Sequence, residues 1–251
     1  MSFAKIARLL LRCGNDVMPE ETKKSFLVYG LPRSGTNYLE FMLTRNLNFS
    51  CPINMYEWKH GPIKQNKCNF FIIYKDPFSW INSMYRYNQK YDLCPNKHES
   101  ISSFIRGEMV LDERAFNPRW HIKDNPIRLY NNMIGHYAWN SSVLNCGILN
   151  YESFMVDSFD SMRKICLAAN VDMPSSLIHP EAPIFNDLAE VEASSSEIYE
   201  NKNFYTNRSY MRFFPTDDVE FVSRWINRGN LRKIRSLAVN LKLDAKTMVE
   251  N

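Results

Sequence analysis

The 251-residue sequence has only eight glycines, so a segment that places two of them close together marks a backbone requirement. It has no apolar run long enough to cross a bilayer as a helix, which excludes a helical transmembrane protein. It has no block of like charges: 31 Lys+Arg stand against 27 Asp+Glu, a formal net charge of +4. A nucleic-acid scaffold carries a denser basic face, so a small anionic ligand suits this balance better and no nucleic-acid partner is expected. The six cysteines, Cys13, Cys51, Cys68, Cys94, Cys146 and Cys166, contain no CxxC pair, and the five histidines show no ligand spacing with them. A zinc site is therefore not expected. Cys146 and Cys166 lie in apolar stretches and read as buried thiols, which fits reduced cysteines and a cytoplasmic location.

What is present is an ordinary globular composition, 45% hydrophobic, 14% aromatic and 23% charged. That excludes a disordered or collagen-like chain. The length suits one domain over 1–251, with a core large enough to need no staples. The stretch from Phe3 to Arg12 is too short and too interrupted by charge for a signal peptide. A short amphipathic helix packed on its own domain is expected there, with no stable membrane insertion.

Strand and helix signals alternate along the chain. Ser25–Tyr29 is a short run of β-formers bounded by Gly30, and apolar positions Leu39, Met42, Leu43 and Leu47 then recur at helical spacing. Phe70–Tyr74 is a second buried strand, after which Pro77 opens a helix through Tyr85. Cys146–Asn150 is a third, followed by a helix capped by Asp157 or Ser158 with Phe159, Met162, Ile165, Cys166 and Ala169 as its apolar stripe. Asn125-Pro126 opens another helix, and Asp217-Asp218 begins a helical stretch ending around Leu241. The alternation predicts an α/β fold, a central parallel sheet flanked by helices. Segments 88–125 and 174–203 break the pattern and are expected to carry substrate-binding loops.

The segment Gly30-Leu31-Pro32-Arg33-Ser34-Gly35-Thr36-Asn37 sits between a buried strand and a helix, the context required of a phosphate-binding loop. Backbone N–H groups at a helix N-terminus converge on one spot, and the helix dipole favours an anion there. The glycine spacing matches a nucleoside-triphosphatase P-loop, but Thr36-Asn37 stand where Lys-Ser/Thr would be. The group that reaches the terminal phosphates and a magnesium ligand are thereby missing. The cation has moved into the loop, at Arg33.

Here the sequence resembles the sulfotransferases that use 3′-phosphoadenosine 5′-phosphosulfate (PAPS). Pro32-Arg33-Ser34-Gly35-Thr36 matches the family's first signature. In Tyr74-Lys75-Asp76-Pro77, Lys75 takes the position of an arginine in the second, and Ser83 follows at the expected offset of eight. The lysine keeps the charge but loses the bidentate fork on phosphate. Tyr151-Glu152-Ser153-Phe154 looks like the third feature, a corner after a late strand. The three motifs run in the family's order over about 25–170, and Arg208 and Tyr210 lie where the family often closes over the cofactor.

The resemblance implies a P-loop-like sulfotransferase three-layer fold and a transfer from PAPS to an acceptor hydroxyl without a metal. It places Arg33 at the 5′-phosphate and the leaving oxygen, Ser34, Gly35, Thr36 and Asn37 in the phosphosulfate cradle, and Lys75 and Ser83 at the 3′-phosphate. Tyr38 stands where many relatives have a tryptophan near the adenine; packing on the sheet is its other reading. His60 is the candidate general base, since its ordinary pKa lies near working pH. Lys59 would assist at the transferring group, and Glu57 is the reserve base. Tyr85, Arg86, Tyr87, Tyr91, Trp120 and His121 mix aromatic faces with polar donors, which suits a sugar hydroxyl but also phenols and peptide tyrosines. Two other readings stay open: an ATP-dependent small-molecule kinase with Asp76 as the magnesium acid, and a non-catalytic nucleotide-binding protein on the same fold.

Overall fold

Alternating burial builds the sheet. In the computed structural model, which describes residues 24–47, 49–50, 58–63, 69–90, 96–112, 121–143, 146–180 and 202–238, strand β1 covers Lys24–Tyr29, β2 Phe49–Ser50, β3 Asn69–Tyr74 and β6 Cys146–Asn150. They pair in the order β2-β1-β3-β6, every neighbour parallel. Phe26 pairs with Asn69 and Phe70 with Cys146, which fixes the register. Because side chains alternate along a strand, Phe26, Val28, Phe71 and Ile73 join one apolar cluster, while Leu27, Tyr29, Phe70, Ile72 and Tyr74 join another. A parallel sheet buried on both faces needs apolar residues at successive positions, and these strands supply them.

Helices cover both faces. On the first, α1 (Thr36–Asn46) brings Leu39, Met42 and Leu43, α5 (Tyr151–Val156) brings Phe154, and α6 (Ser158–Ala169) brings Met162, Ile165, Cys166 and Ala169. On the second, α2 (Pro77–Lys90) brings Trp80, Ile81 and Met84, and α4 (Pro126–Val143) brings Tyr130, Ile134 and Tyr137. Behind them stand α3 (Ile101–Arg106), α7 (Thr216–Trp225) and α8 (Arg228–Ala238). Cys146 and Cys166 are buried free thiols, and burial pushes the Cys146 thiol up to about 11.

Local chemistry sets several boundaries. Asp76 Oδ1 accepts the Phe78 N–H at 3.0 Å and starts α2, which runs on to Lys90, past the expected Tyr85. Asn125 Oδ1 accepts from Ile127 N at 2.9 Å and opens α4. Asp157, one of two expected caps, takes the Asp160 N–H at 2.9 Å. The expected stretch from Asp217 is broken into α7 and α8, because Ile226 is extended and Asn227 Oδ1 caps the second helix through the Asn230 N–H at 3.0 Å. The described residues of segment 88–125 hold more regular structure than their mixed sequence suggests. They form α3 and an antiparallel pair, β4 (Met109–Asp112) and β5 (His121–Asp124). Four-residue strands with polar outer positions leave too short an alternation to stand out. Tyr151–Phe154, expected as a corner, forms most of α5. Glu57, Tyr91, Trp120 and the stretch 3–12 lie outside the described residues.

Candidate functional site

The turn from β1 into α1 is built on two glycines. A Cβ at Gly30 would lie 2.4 Å from Ser34 Oγ and 2.5 Å from the Ile73 carbonyl oxygen, so the loop can press against β3 only with glycine there. Gly35 has φ +98°, and a Cβ on it would lie 2.2 Å from the Tyr151 ring. Arg33 is also left-handed, at φ 65°, a conformation that costs a non-glycine residue roughly 1–2 kcal/mol. The turn is closed by Ser34 N donating to the Leu31 carbonyl at 3.0 Å. It is tied to α2 by Trp80 Nε1, which donates to the Pro32 carbonyl at 2.8 Å within the core.

The loop delivers α1 with a bare N-terminus. Gly35 is its N-cap, no side chain caps it, and its first turn contains no acidic residue. The first-turn N–H groups of a helix have no intrahelical acceptor, and the dipole adds positive potential there. Ser34 Oγ is buried with no hydrogen-bond partner. These are the features of a cradle for an oxyanion. Arg33 lies beside it with its guanidinium carbon 5.0 Å from the centre of the Tyr87 ring.

A second turn docks on the first. Gly30 N donates to the Lys59 carbonyl at 3.1 Å, and His60 Nδ1 donates to the Gly30 carbonyl at 2.8 Å. This bond fixes the tautomer and leaves Nε2 as the proton-accepting nitrogen. Burial, then the Lys59 charge, with a smaller push from Arg33, lower the His60 pKa to about 3 against the opposing Gly30 bond. The ring is therefore neutral at ordinary pH, and the expectation that His60 titrates near working pH is not met, because burial removes the water that would solvate the imidazolium. The Lys59 ammonium donates to Asn37 Oδ1 and pairs with Glu40 Oε2 at 2.9 Å, both on α1. Further along, Ile63 N donates to His136 Nε2 at 2.9 Å, which ties this segment to α4.

Lys75 follows β3 and is only 5% exposed. Its ammonium donates to Ser83 Oγ at 3.1 Å and to Tyr205 Oη at 3.4 Å. It also lies 4.3 Å from the centre of the Tyr151 ring and 5.2 Å from that of Tyr205. Among the described residues no carboxylate pairs with it. Neutral hydroxyls and ring faces repay only part of the desolvation of a buried ammonium, an arrangement that an anionic partner would complete. Lys75 and Ser83, paired in the sequence by an offset of eight, are thus in contact. Tyr151 joins this cation to the loop, since the same ring touches Gly35 and Lys75.

Tyr38 packs edge-on against Phe154 and Tyr151, with ring centres 5.5 and 6.3 Å away, and burial pushes its hydroxyl up to about 12. These ring contacts are to α5 and not to a strand, and the Tyr38 hydroxyl meets His179 Nδ1 at 3.3 Å. Asp76 is engaged: Oδ1 caps α2, and Oδ2 lies 3.3 Å from Arg235 and 3.8 Å from Arg208. Arg208 Nε also donates to Tyr210 Oη at 3.3 Å. A cavity of about 440 Å³ opens beside Tyr205, lined among others by Asp76, Glu152, Arg208 and Arg235. His121 is exposed on β5. Sequence reasoning missed Tyr205, because nothing local ties it to Lys75 across 130 positions.

No group of three or more metal-ligating side chains is found among the described residues. No helix among them is long and apolar enough to cross a membrane. No family model matches the chain, and no curated protein matches it.

Proposed function

We propose that this chain is a PAPS-dependent sulfotransferase on a P-loop-like fold, acting on an acceptor hydroxyl. The observation that carries the proposal is the buried Lys75 ammonium. It is surrounded by neutral partners and sits one aromatic ring away from an uncapped helix N-terminus. Two anion-seeking points so close together suit a nucleotide with phosphate on both its 3′ and 5′ sides. The donors present fit that group: Ser34 Oγ is buried and unpartnered, and the first turn of α1 carries no competing acid.

When bound, PAPS supplies an activated sulfuryl group on a phosphate leaving group. Ser34, Gly35, Thr36 and Asn37 would hold the 5′ side, with Arg33 balancing charge at the leaving oxygen. Lys75 and Ser83 would hold the 3′-phosphate, and Tyr38 would flank the adenine through its aromatic cluster. His60 Nε2 would take the acceptor hydroxyl's proton. Its depressed pKa keeps it neutral beforehand, and an anion beside it would raise its proton affinity. Lys59 would steady the loop through Asn37 and Glu40 rather than reach far beyond it. Tyr87, beside Arg33, offers an aromatic wall to the acceptor, for which a sugar hydroxyl is our choice. The kinase reading is weaker: Asp76 is used by the α2 cap and two arginines, and no lysine follows Gly35.

Calorimetry with adenosine 3′,5′-bisphosphate and with ATP, each with magnesium and with chelator, tests the proposal. Tight, metal-independent binding of the bisphosphate is expected. Lys75→Ala should weaken it roughly 10- to 100-fold, the worth of one charge-assisted bond, and spare its 3′-dephosphorylated analogue. A preference for ATP with magnesium would overturn the reading.

A further inference from the structure

Two helices on the second side of the sheet, α4 and α8, are unusual in charge. α4 and α8 contain Arg128, Arg228, Arg232, Lys233 and Arg235 and not one Asp or Glu, although the whole chain is nearly balanced. Two of the five cations are paired by neighbours: Arg128 with Asp124, and Arg235 with Asp76. Among the described residues no carboxylate pairs with Arg228, Arg232 or Lys233. All three are exposed, while Leu231 and Ile234 hold the opposite side of α8 in the core. At 100° per residue the three fall within one arc of the helix surface.

One indole ring stands against this arc. Trp139 on α4 is 65% exposed, and the Lys233 ammonium lies 5.5 Å from its ring centre. Trp225, 59% exposed, ends α7 just before Arg228. The junction is pinned to α4, since Asn131 Nδ2 donates to the Trp225 carbonyl and Asn131 Oδ1 accepts from Asn227 N, both at 2.8 Å. Asn131 and Trp139 are eight residues apart, about 12 Å along α4. Of the acids of α7, Asp217 and Asp218 belong to its first turn and Glu220 to its middle. By contrast, α6 on the other face neutralises its cations locally, Arg163 and Lys164 both pairing with Asp160.

We propose that the exposed face of α8, with Trp139, is a peripheral docking surface for an anionic phospholipid membrane. The charge is complementary to acidic headgroups, and tryptophan is the side chain that favours the headgroup level. The apolar side of α8 is committed to the core, so contact is shallow and electrostatic, without insertion of the helix. This inference does not depend on the catalytic reading.

The test is co-sedimentation of the full chain with vesicles of phosphatidylcholine alone or with added phosphatidylserine, at low and physiological salt. Binding only to the acidic vesicles, weakening with salt, is expected. Each cation should contribute about fivefold, so Arg228→Gln/Arg232→Gln/Lys233→Gln should lower the affinity roughly a hundredfold. Trp139→Phe should remove part of the fluorescence quenching by brominated lipid. The paired variants Arg228→Gln/Arg232→Gln and Arg163→Gln/Lys164→Gln separate this face from general charge: only the first should weaken binding. Failure to bind acidic vesicles, equal binding to neutral ones, or full binding by the triple variant would overturn the proposal. Retention on a heparin column without vesicle binding would overturn it too, and assign the face to an anionic polymer.

Discussion

The two halves of the candidate site are made in opposite ways. The loop half is contiguous: Gly30, Arg33, Ser34, Gly35 and the first turn of α1 lie within nine residues, and local geometry sets most of their arrangement. The Lys75 half is assembled from four separate places, Lys75 after β3, Ser83 on α2, Tyr151 on α5 and Tyr205 within the helical turn 202–206. The first half is therefore stiff and intolerant of backbone change. The second depends on packing, and a change in any one contributor is shared by the rest. Tyr151 belongs to both, and the contrast can be broken there.

The largest effect should come from Gly35→Ala. It forces a side chain into a left-handed conformation and drives a methyl into the Tyr151 ring, a loss of roughly 2–5 kcal/mol. Urea denaturation measures it. Adding Tyr151→Ala to the same chain should recover the steric part, and recovery of nothing would show that backbone conformation alone sets the cost.

Acid should act on the loop half next. His60 has a folded pKa of about 3, below its unfolded value, so the unfolded chain takes up the proton first. Its contribution is complete above about pH 6.5 and is lost as pH falls towards 3, reaching on the order of 3 kcal/mol by pH 4. Stability against pH for the native chain and for His60→Gln should diverge in slope over that window. Parallel curves would mean that the ring titrates normally.

Trp80→Phe removes the Nε1 bond to the Pro32 carbonyl and leaves that oxygen unpaired in the core. A cost of about 2 kcal/mol is expected, together with weaker anion binding, because the loop loses its tie to α2. Chemical denaturation and phosphate titration on the same sample check both. The smallest effect should be that of Tyr205→Phe, which deletes one of two hydroxyls at Lys75. Thermal unfolding should register less than about 1 kcal/mol. A larger loss would show that the second half is as stiff as the first.

The same division explains what could be read without coordinates. The strand, glycine-bounded turn and helix from Ser25 to Asn46 were legible because each step is a local rule: apolar alternation, glycine spacing, helical periodicity. The Lys75–Ser83 pairing was legible only through the resemblance to the family's second signature; the helix that starts at the proline after Asp76 is the physical reason the two side chains meet. The β4–β5 pair was not, as His121 and Lys123 face outward and hide a two-strand alternation. Nor was the break between α7 and α8, since Asn227 acts as a cap only once Ile226 has turned into the core.

The sequence by itself determined the α/β class, the loop and which residues carry charge near it. Those properties follow from neighbours within a few positions, where covalent geometry limits the alternatives. Only the tertiary structure decided that Tyr205 would reach Lys75, that Tyr151 would join it to the loop, that Asp76 would be taken by two arginines, and that the cations of α8 would stand beside Trp139. Each is a meeting of residues far apart in the chain, settled by how the helices pack on the sheet, because burial of their apolar faces fixes where the polar ones point.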